Sequence, residues 1–166
     1  MSAAVCTALL MVFATGVAQA PQKHALVGTP AADFALKALS GDNVRLSEHL
    51  GEVVLLNFWA SWCSTCRTEM PRLDKLLDTY RSAGFALYGV SVDDDPVRAA
   101  EFVRTVGVDY PVLLDTRKTV APAYRLDELP MTVLIDRAGV VRHVHHAYSP
   151  AIEREYVAEL RALLNE

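Results

Sequence analysis

Cysteine is scarce in this chain, with three in 166 residues, and two of them, Cys63 and Cys66, stand with only Ser64 and Thr65 between them. That spacing suits chemistry better than architecture. A disulfide across three positions closes a tiny loop, removes little entropy from the unfolded chain and so staples almost nothing. Two thiols one helical turn apart can instead alternate between dithiol and disulfide, one sulfur attacking as a thiolate and the other resolving the mixed disulfide that results. Cys63 falls where a buried strand gives way to an amphipathic helix, at or just before the helix N-terminus. Free N–H groups and the positive end of the helix dipole there lower a thiol pKa from about 8.5 to about 7 or below. Cys63 is therefore the expected nucleophile and Cys66, one turn further and closer to the interior, the resolving thiol.

Other uses of the pair fit less well. A zinc site wants four ligands, and no second Cys-x-x-Cys or spaced His pair follows. Haem attachment needs His at position 67, where Arg67 stands. Two inert core cysteines remain the plain alternative, disfavoured by the strand-to-helix context. His143, His145 and His146 raise a metal reading too, but on a strand 143 and 145 share one face while 146 points the other way, as expected for the polar face of an edge strand. Asp93-Asp94-Asp95 lacks the spaced ligands and turn glycine of a calcium loop and reads as a loop and helix cap. No metal or cofactor is expected.

The elements that must position the cysteines are legible from periodicity. Asp33 to Leu46 alternates apolar and polar residues around the turn signal Ser40-Gly41-Asp42-Asn43, a hairpin. Val53 to Phe58 is an apolar run of strand length, buried on both faces. Met70, Leu73, Leu76, Leu77 and Tyr80 recur at three- and four-residue intervals, one face of a helix that Gly84 ends. Phe85 to Val92 is a second buried strand. Asp95-Pro96 opens a helix with Ala99, Ala100, Phe102, Val103 and Val106 toward the core, and Val112 to Leu114 is a short strand. Thr132 to Asp136 and Val140 to His146 form two strands joined at Arg137-Ala138-Gly139. Ser149-Pro150 opens a last helix with Ile152, Tyr156, Leu160, Leu163 and Leu164 inward. Strands alternating with helices, then a hairpin and a closing helix, predict an α/β fold with a mixed sheet.

The length suits one domain. Hydrophobic residues make up 52% and charged residues 22%, the balance of a folded globular chain. The net charge is −4, and no basic run stands out, which sets nucleic-acid partners aside. Ala3 to Val17 is nearly continuously apolar, and Ala18-Gln19-Ala20 has the small residues of a cleavage site. Residues 1–20 are expected to be a signal peptide cut after Ala20, which also removes Cys6, and 21–166 the mature domain. No Lys or Arg precedes the apolar run. The alternative is an uncleaved membrane anchor, although Ala, Thr and Gly dilute the segment below the about 18 apolar residues of a spanning helix.

The segment Asn57-Phe58-Trp59-Ala60-Ser61-Trp62-Cys63-Ser64-Thr65-Cys66-Arg67 resembles the active-site segment of thioredoxin-like proteins, especially the exported TlpA/ResA group. Pro71 matches the proline within that group's active-site helix, Leu129-Pro130-Met131-Thr132 its cis-proline loop, and Asp136-Arg137-Ala138-Gly139 the following hairpin. The resemblance, over about residues 30–166, implies a thioredoxin fold, a mixed sheet flanked by helices with an N-terminal β-hairpin extension. It also implies that Pro130 is cis with its loop against Cys63, that the Leu129 backbone pairs with a client peptide, and that Trp62 belongs to the exposed rim while Trp59 is core. This chain departs from thioredoxin in having Asn57 in place of a buried Asp, and Ser64 where some of the group carry Glu. The nearest remaining acid, Glu69, either relays a proton to the resolving thiol or is a solvated helix-surface residue. Glu128 is a weaker candidate.

The activity this implies is that of a periplasmic thiol:disulfide oxidoreductase. Reduced Cys63 attacks disulfides of client proteins, cytochrome c maturation being one setting, and a membrane electron donor restores the dithiol. Two rivals stand beside it: an oxidant that donates its disulfide, and a copper-handling chaperone, whose thioredoxin-like examples usually space their cysteines by three residues. The Pro-x-x-x-Thr-x-x-Cys pattern of peroxiredoxins is absent.

Overall fold

The computed structural model describes residues 24–166, so the apolar N-terminal segment and its cleavage site lie outside the described residues. The turn at Ser40-Gly41-Asp42 joins two short antiparallel strands, Ala35–Lys37 (β1) and Asn43–Arg45 (β2). Gly41 takes φ +102°, open to glycine and strained for other residues. The hairpin is anchored where the Leu39 N–H donates to the Val112 carbonyl at 2.8 Å.

Val53–Trp59 (β3) is buried at every position because it lies in the middle of a five-stranded sheet. Its neighbours are Phe85–Ser91 (β4), parallel, and Met131–Ile135 (β6), antiparallel; Val112–Leu114 (β5) lies beyond β4 and Val141–His146 (β7) beyond β6. The sheet is mixed, as the alternation of elements predicts. Side chains alternate across β3. Val53, Leu55 and Trp59 join the core that also holds residues of three helices, Cys66–Tyr80 (α1), Pro96–Val106 (α2) and Pro150–Leu164 (α4). Val54, Leu56 and Phe58 face the opposite core, made with the hairpin and the short helix Val120–Ala123 (α3).

The helix caps follow the residues expected to make them. Asp95 Oδ1 accepts the Val97 N–H at 2.9 Å and Ser149 Oγ the Ile152 N–H at 3.2 Å. Pro71 lies inside α1, where its missing N–H leaves the Arg67 carbonyl without its usual helical donor. Two details depart from the sequence reading. Ala100 is exposed, since it lies about 100° around α2 from buried Ala99. The four residues of α3 are too short for periodicity to reveal; its start is fixed by the buried Asp115 carboxylate, which accepts the N–H groups of Thr119, Val120 and Ala121 at 2.8–3.0 Å.

Gly89 on β4 is dictated by packing. A Cβ there would lie 2.8 Å from Tyr110 Cε2 and 2.9 Å from Trp59 Nε1, closer than carbon atoms pack. That absence lets Trp59 lie buried across β4 and stack on Phe102, ring centroids 5.2 Å apart, in the core position expected of it.

Candidate active site

The loop between β3 and α1 carries the cysteines, which form a disulfide with the sulfurs 2.03 Å apart. α1 begins at Cys66 itself, so Cys63 precedes the helix by three residues. The helix nevertheless reaches it: the Cys66 N–H donates to Cys63 Sγ at 3.2 Å, and Thr65 Oγ1 lies 3.5 Å from the same sulfur. That N–H is one of the donors a helix start leaves without an internal partner, and directed at sulfur it favours the thiolate. Cys63 keeps 6% of its surface and Cys66 none, the outer-and-inner arrangement expected of nucleophile and resolving thiol. Arg67, the nearest cation in sequence, lies with its guanidinium 4.7 Å from the Phe102 ring centroid.

Trp62 is 71% exposed, as the resemblance implies. It shares a cleft of about 720 Å³ with Asp93, Leu126, Glu128 and Leu129. The Leu129-Pro130 peptide is cis, and the Pro130 carbonyl accepts the Ala147 N–H at 2.9 Å, which ties this loop to the end of β7. Glu128 is exposed on the cleft.

Glu69 is fully buried, which removes the solvated-surface alternative. It follows Cys66 by three residues, on the same face of α1. Its carboxylate is held from two strands: Asn57 Nδ2 donates to Oε2 at 2.8 Å and Thr132 Oγ1 to Oε1 at 3.1 Å. Burial pushes its pKa up to about 7; the two hydrogen bonds pull the other way, and the Glu153 charge adds to the rise.

One residue of the site escaped sequence reasoning. Asp93, buried beyond the end of β4, accepts the Ser61 N–H at 2.9 Å, the Ser61 hydroxyl at 2.8 Å and the Ser91 hydroxyl at 3.0 Å. It fixes the loop two residues before Cys63. The acidic triplet drew attention to it, but its partner Ser61 stands 32 positions away, a distance no local pattern spans. Asp95 caps α2 as expected, and Asp94 pairs with Lys118 at 2.6 Å.

The histidines divide as strand alternation predicts. His143 Nδ1 and His145 Nε2 meet the two oxygens of Glu159 on α4, at 3.0 and 2.6 Å, while His146 turns to Asp127 at 3.3 Å. His143 and His145 clamp the edge strand to that helix. Among the described residues no group of three or more His, Cys, Asp or Glu is arranged to hold a metal ion.

This geometry has counterparts. Residues 27–144 match the model of the AhpC/TSA family. The chain belongs to the AhpC/TSA family. Within it, the chain is 36% identical over 118 residues to the thiol-disulfide oxidoreductase ResA of Geobacillus kaustophilus, covering 71% of this chain and 68% of that protein. It is 33% identical over 131 residues to ResA of Bacillus subtilis, covering 78% and 73%. A crystal structure from Chlorobium tepidum, of a candidate thiol:disulfide interchange protein DsbE, superposes with a TM-score of 0.80 at 33% identity, covering 83% of this chain and 97% of that one. This AhpC/TSA protein is thus a thioredoxin-fold redox enzyme, a thiol-disulfide oxidoreductase of the ResA/DsbE type, and its clients are proteins that carry thiols or disulfides.

Proposed function

We propose that this oxidoreductase works as an exported reductase of client-protein disulfides, with Cys63 as nucleophile and Cys66 as resolving thiol. The observation that carries the direction is the modest support given to the Cys63 sulfur. It has one helix N–H and one hydroxyl, Arg67 is committed to the Phe102 ring, and a buried carboxylate lies one turn beyond Cys66. Strong thiolate stabilisation favours the dithiol and makes a disulfide oxidising. Weak stabilisation leaves the dithiol a reductant.

The Cys63 thiolate attacks a client disulfide; a Cys63–client bond forms and the other client sulfur leaves as a thiolate, protonated by water. The Cys66 thiol passes its proton to Glu69 and attacks Cys63 Sγ. The Cys63–Cys66 disulfide forms, the second client sulfur leaves as a thiolate, and two electrons have passed to the client. Trp62 and Leu129 line the rim where the client segment lies, the Leu129 backbone beside cis-Pro130 pairing with it in strand fashion. A membrane electron donor returns the protein to the dithiol.

The apolar stretch ending at Ala18-Gln19-Ala20 supports export to a periplasm with cleavage after Ala20, and among the described residues no helix is long and apolar enough to cross a membrane. Apocytochrome c cysteines are the client class that the TlpA/ResA resemblance suggests. The direction is tested by equilibrating residues 21–166 against dithiothreitol and glutathione buffers. A reduction potential near about −270 mV is expected, and one near about −120 mV would make the protein an oxidant. Cys63→Ser should abolish insulin disulfide reduction; normal activity in that variant would end the nucleophile assignment.

A further inference from the structure

Glu69 is held in an unusual way for a buried carboxylate. Neither of its hydrogen-bond partners is a cation or a backbone N–H. Both are side chains that can reverse roles. A threonine hydroxyl donates or accepts by rotating its hydrogen, and an asparagine amide presents a donor or an acceptor by turning over about its last bond. As the side chains now stand, Asn57 Nδ2 and Thr132 Oγ1 both donate to the carboxylate. Asn57 Oδ1 is buried with no hydrogen-bond partner, so a buried acceptor is left unsatisfied in the middle of the sheet. Such an acceptor usually has an explanation. Turned over, that oxygen meets a protonated Glu69 as acceptor, and the amide nitrogen takes the unpartnered side in its place.

We propose that Asn57 and Thr132 are positioning residues that form a reversible clamp on Glu69: both donate to its carboxylate, and when it is protonated Asn57 turns over to accept its single O–H while Thr132 goes on donating to the other oxygen. The inference rests on the reading that Glu69 takes the proton of Cys66. Its physical content is that neither protonation state is left facing the wrong partner, so the proton moves on and off without rearranging the fold. Asn57 and Thr132 sit opposite one another on β3 and β6, and Thr132 is two residues beyond the cis-proline. The clamp therefore joins the strand that leads into the cysteine loop to the loop proposed to hold the client. An ionised Asp at position 57 would only accept and could not donate to the Glu69 carboxylate.

The other titratable groups around Glu69 come from every element packed on it. They are Cys66 on its own helix, Glu153 and Tyr156 on α4, Tyr148 before α4 and Tyr110 before β5. His145 pairs with Thr132 in register on β7. In the disulfide form the cysteines do not titrate, which isolates Glu69 from them.

The test is an NMR titration of the oxidised protein from pH 5 to 9, following the Glu69 carboxyl carbon and the Asn57 side-chain amide. In the native protein the Asn57 amide signals should move with the midpoint of Glu69; an Asn57 amide that ignores this titration overturns the clamp, with no variant required. Thr132→Val removes one charge-assisted donor and should raise the Glu69 midpoint by about one pH unit, and Thr132→Ser should return it. An unchanged midpoint in Thr132→Val also overturns the proposal. The underlying reading is tested separately, by the pH profile of mixed-disulfide resolution in Glu69→Gln. If that variant keeps the native profile, Glu69 is not the acceptor for Cys66, whatever the clamp does.

Discussion

Glu69→Gln should change how stability depends on pH, and the size of the change follows from the burial of the carboxyl. A glutamate carboxyl ordinarily titrates near 4.5; in this fold burial pushes Glu69 up to about 7. Between those values the folded protein holds a proton that the unfolded chain has released. Bound protons in the native state then exceed those in the unfolded state, and stability falls as pH rises through the window. At about 1.4 kcal/mol per pH unit, the native protein should lose up to about 3 kcal/mol from this group between pH 4.5 and 7, with no further loss above. Glutamine keeps the size and can still pair with Asn57, but it has no proton to lose. The assay is urea unfolding of the oxidised forms at intervals from pH 4.5 to 8.5, reading the difference between native protein and variant. That difference should shift steadily in favour of the variant up to about pH 7 and then level. A difference constant within about 0.5 kcal/mol across the range would refute the argument that burial governs this carboxyl.

Further outcomes follow from the same geometry. Asp93→Ala removes the acceptor of three hydrogen bonds from Ser61 and Ser91 and should cost about 2–4 kcal/mol in chemical denaturation; a loss under about 1 kcal/mol would mean that the loop is held by other contacts. Gly89→Ala drives a methyl group into Trp59 and Tyr110 and should cost about 1–3 kcal/mol, read as a lower Tm. Trp62→Ala should change stability by less than about 0.5 kcal/mol, because the ring is exposed. It should raise KM for protein disulfides while leaving the rate with a small disulfide reagent unchanged, and an unchanged KM would remove Trp62 from the client rim.

Most of the framework was legible in the chain. The strands and long helices carry their own signals: an unbroken apolar run for β3, three- and four-residue spacing for α1, Asp95-Pro96 and Ser149-Pro150 for the starts of α2 and α4. Those signals are local, set by backbone geometry and by the burial of one face. Ala100 lies off the buried face because a helix turns about 100° per residue, and α3 leaves no periodic signal because four residues complete little more than one turn. Glu69 was the instructive case. From sequence it is one more charged residue on an amphipathic helix, equally at home in water, and only the packing of α1 on β3 and β6 determines that it meets Asn57 and Thr132.

What the sequence by itself determined is the chemistry and its setting: two thiols one turn apart at a strand-to-helix junction, a mixed sheet around them, and a Leu-Pro-Met-Thr segment of recognisable kind. These follow from residue type and short-range spacing, which the chain carries without folding. Only the tertiary structure decided how the thiols are tuned. The Cys66 N–H on Cys63, the Asp93 anchor under Ser61 and the Asn57–Glu69–Thr132 network join groups 3 to 75 positions apart. Their effect on charge depends on burial, and burial is a property of the folded chain alone.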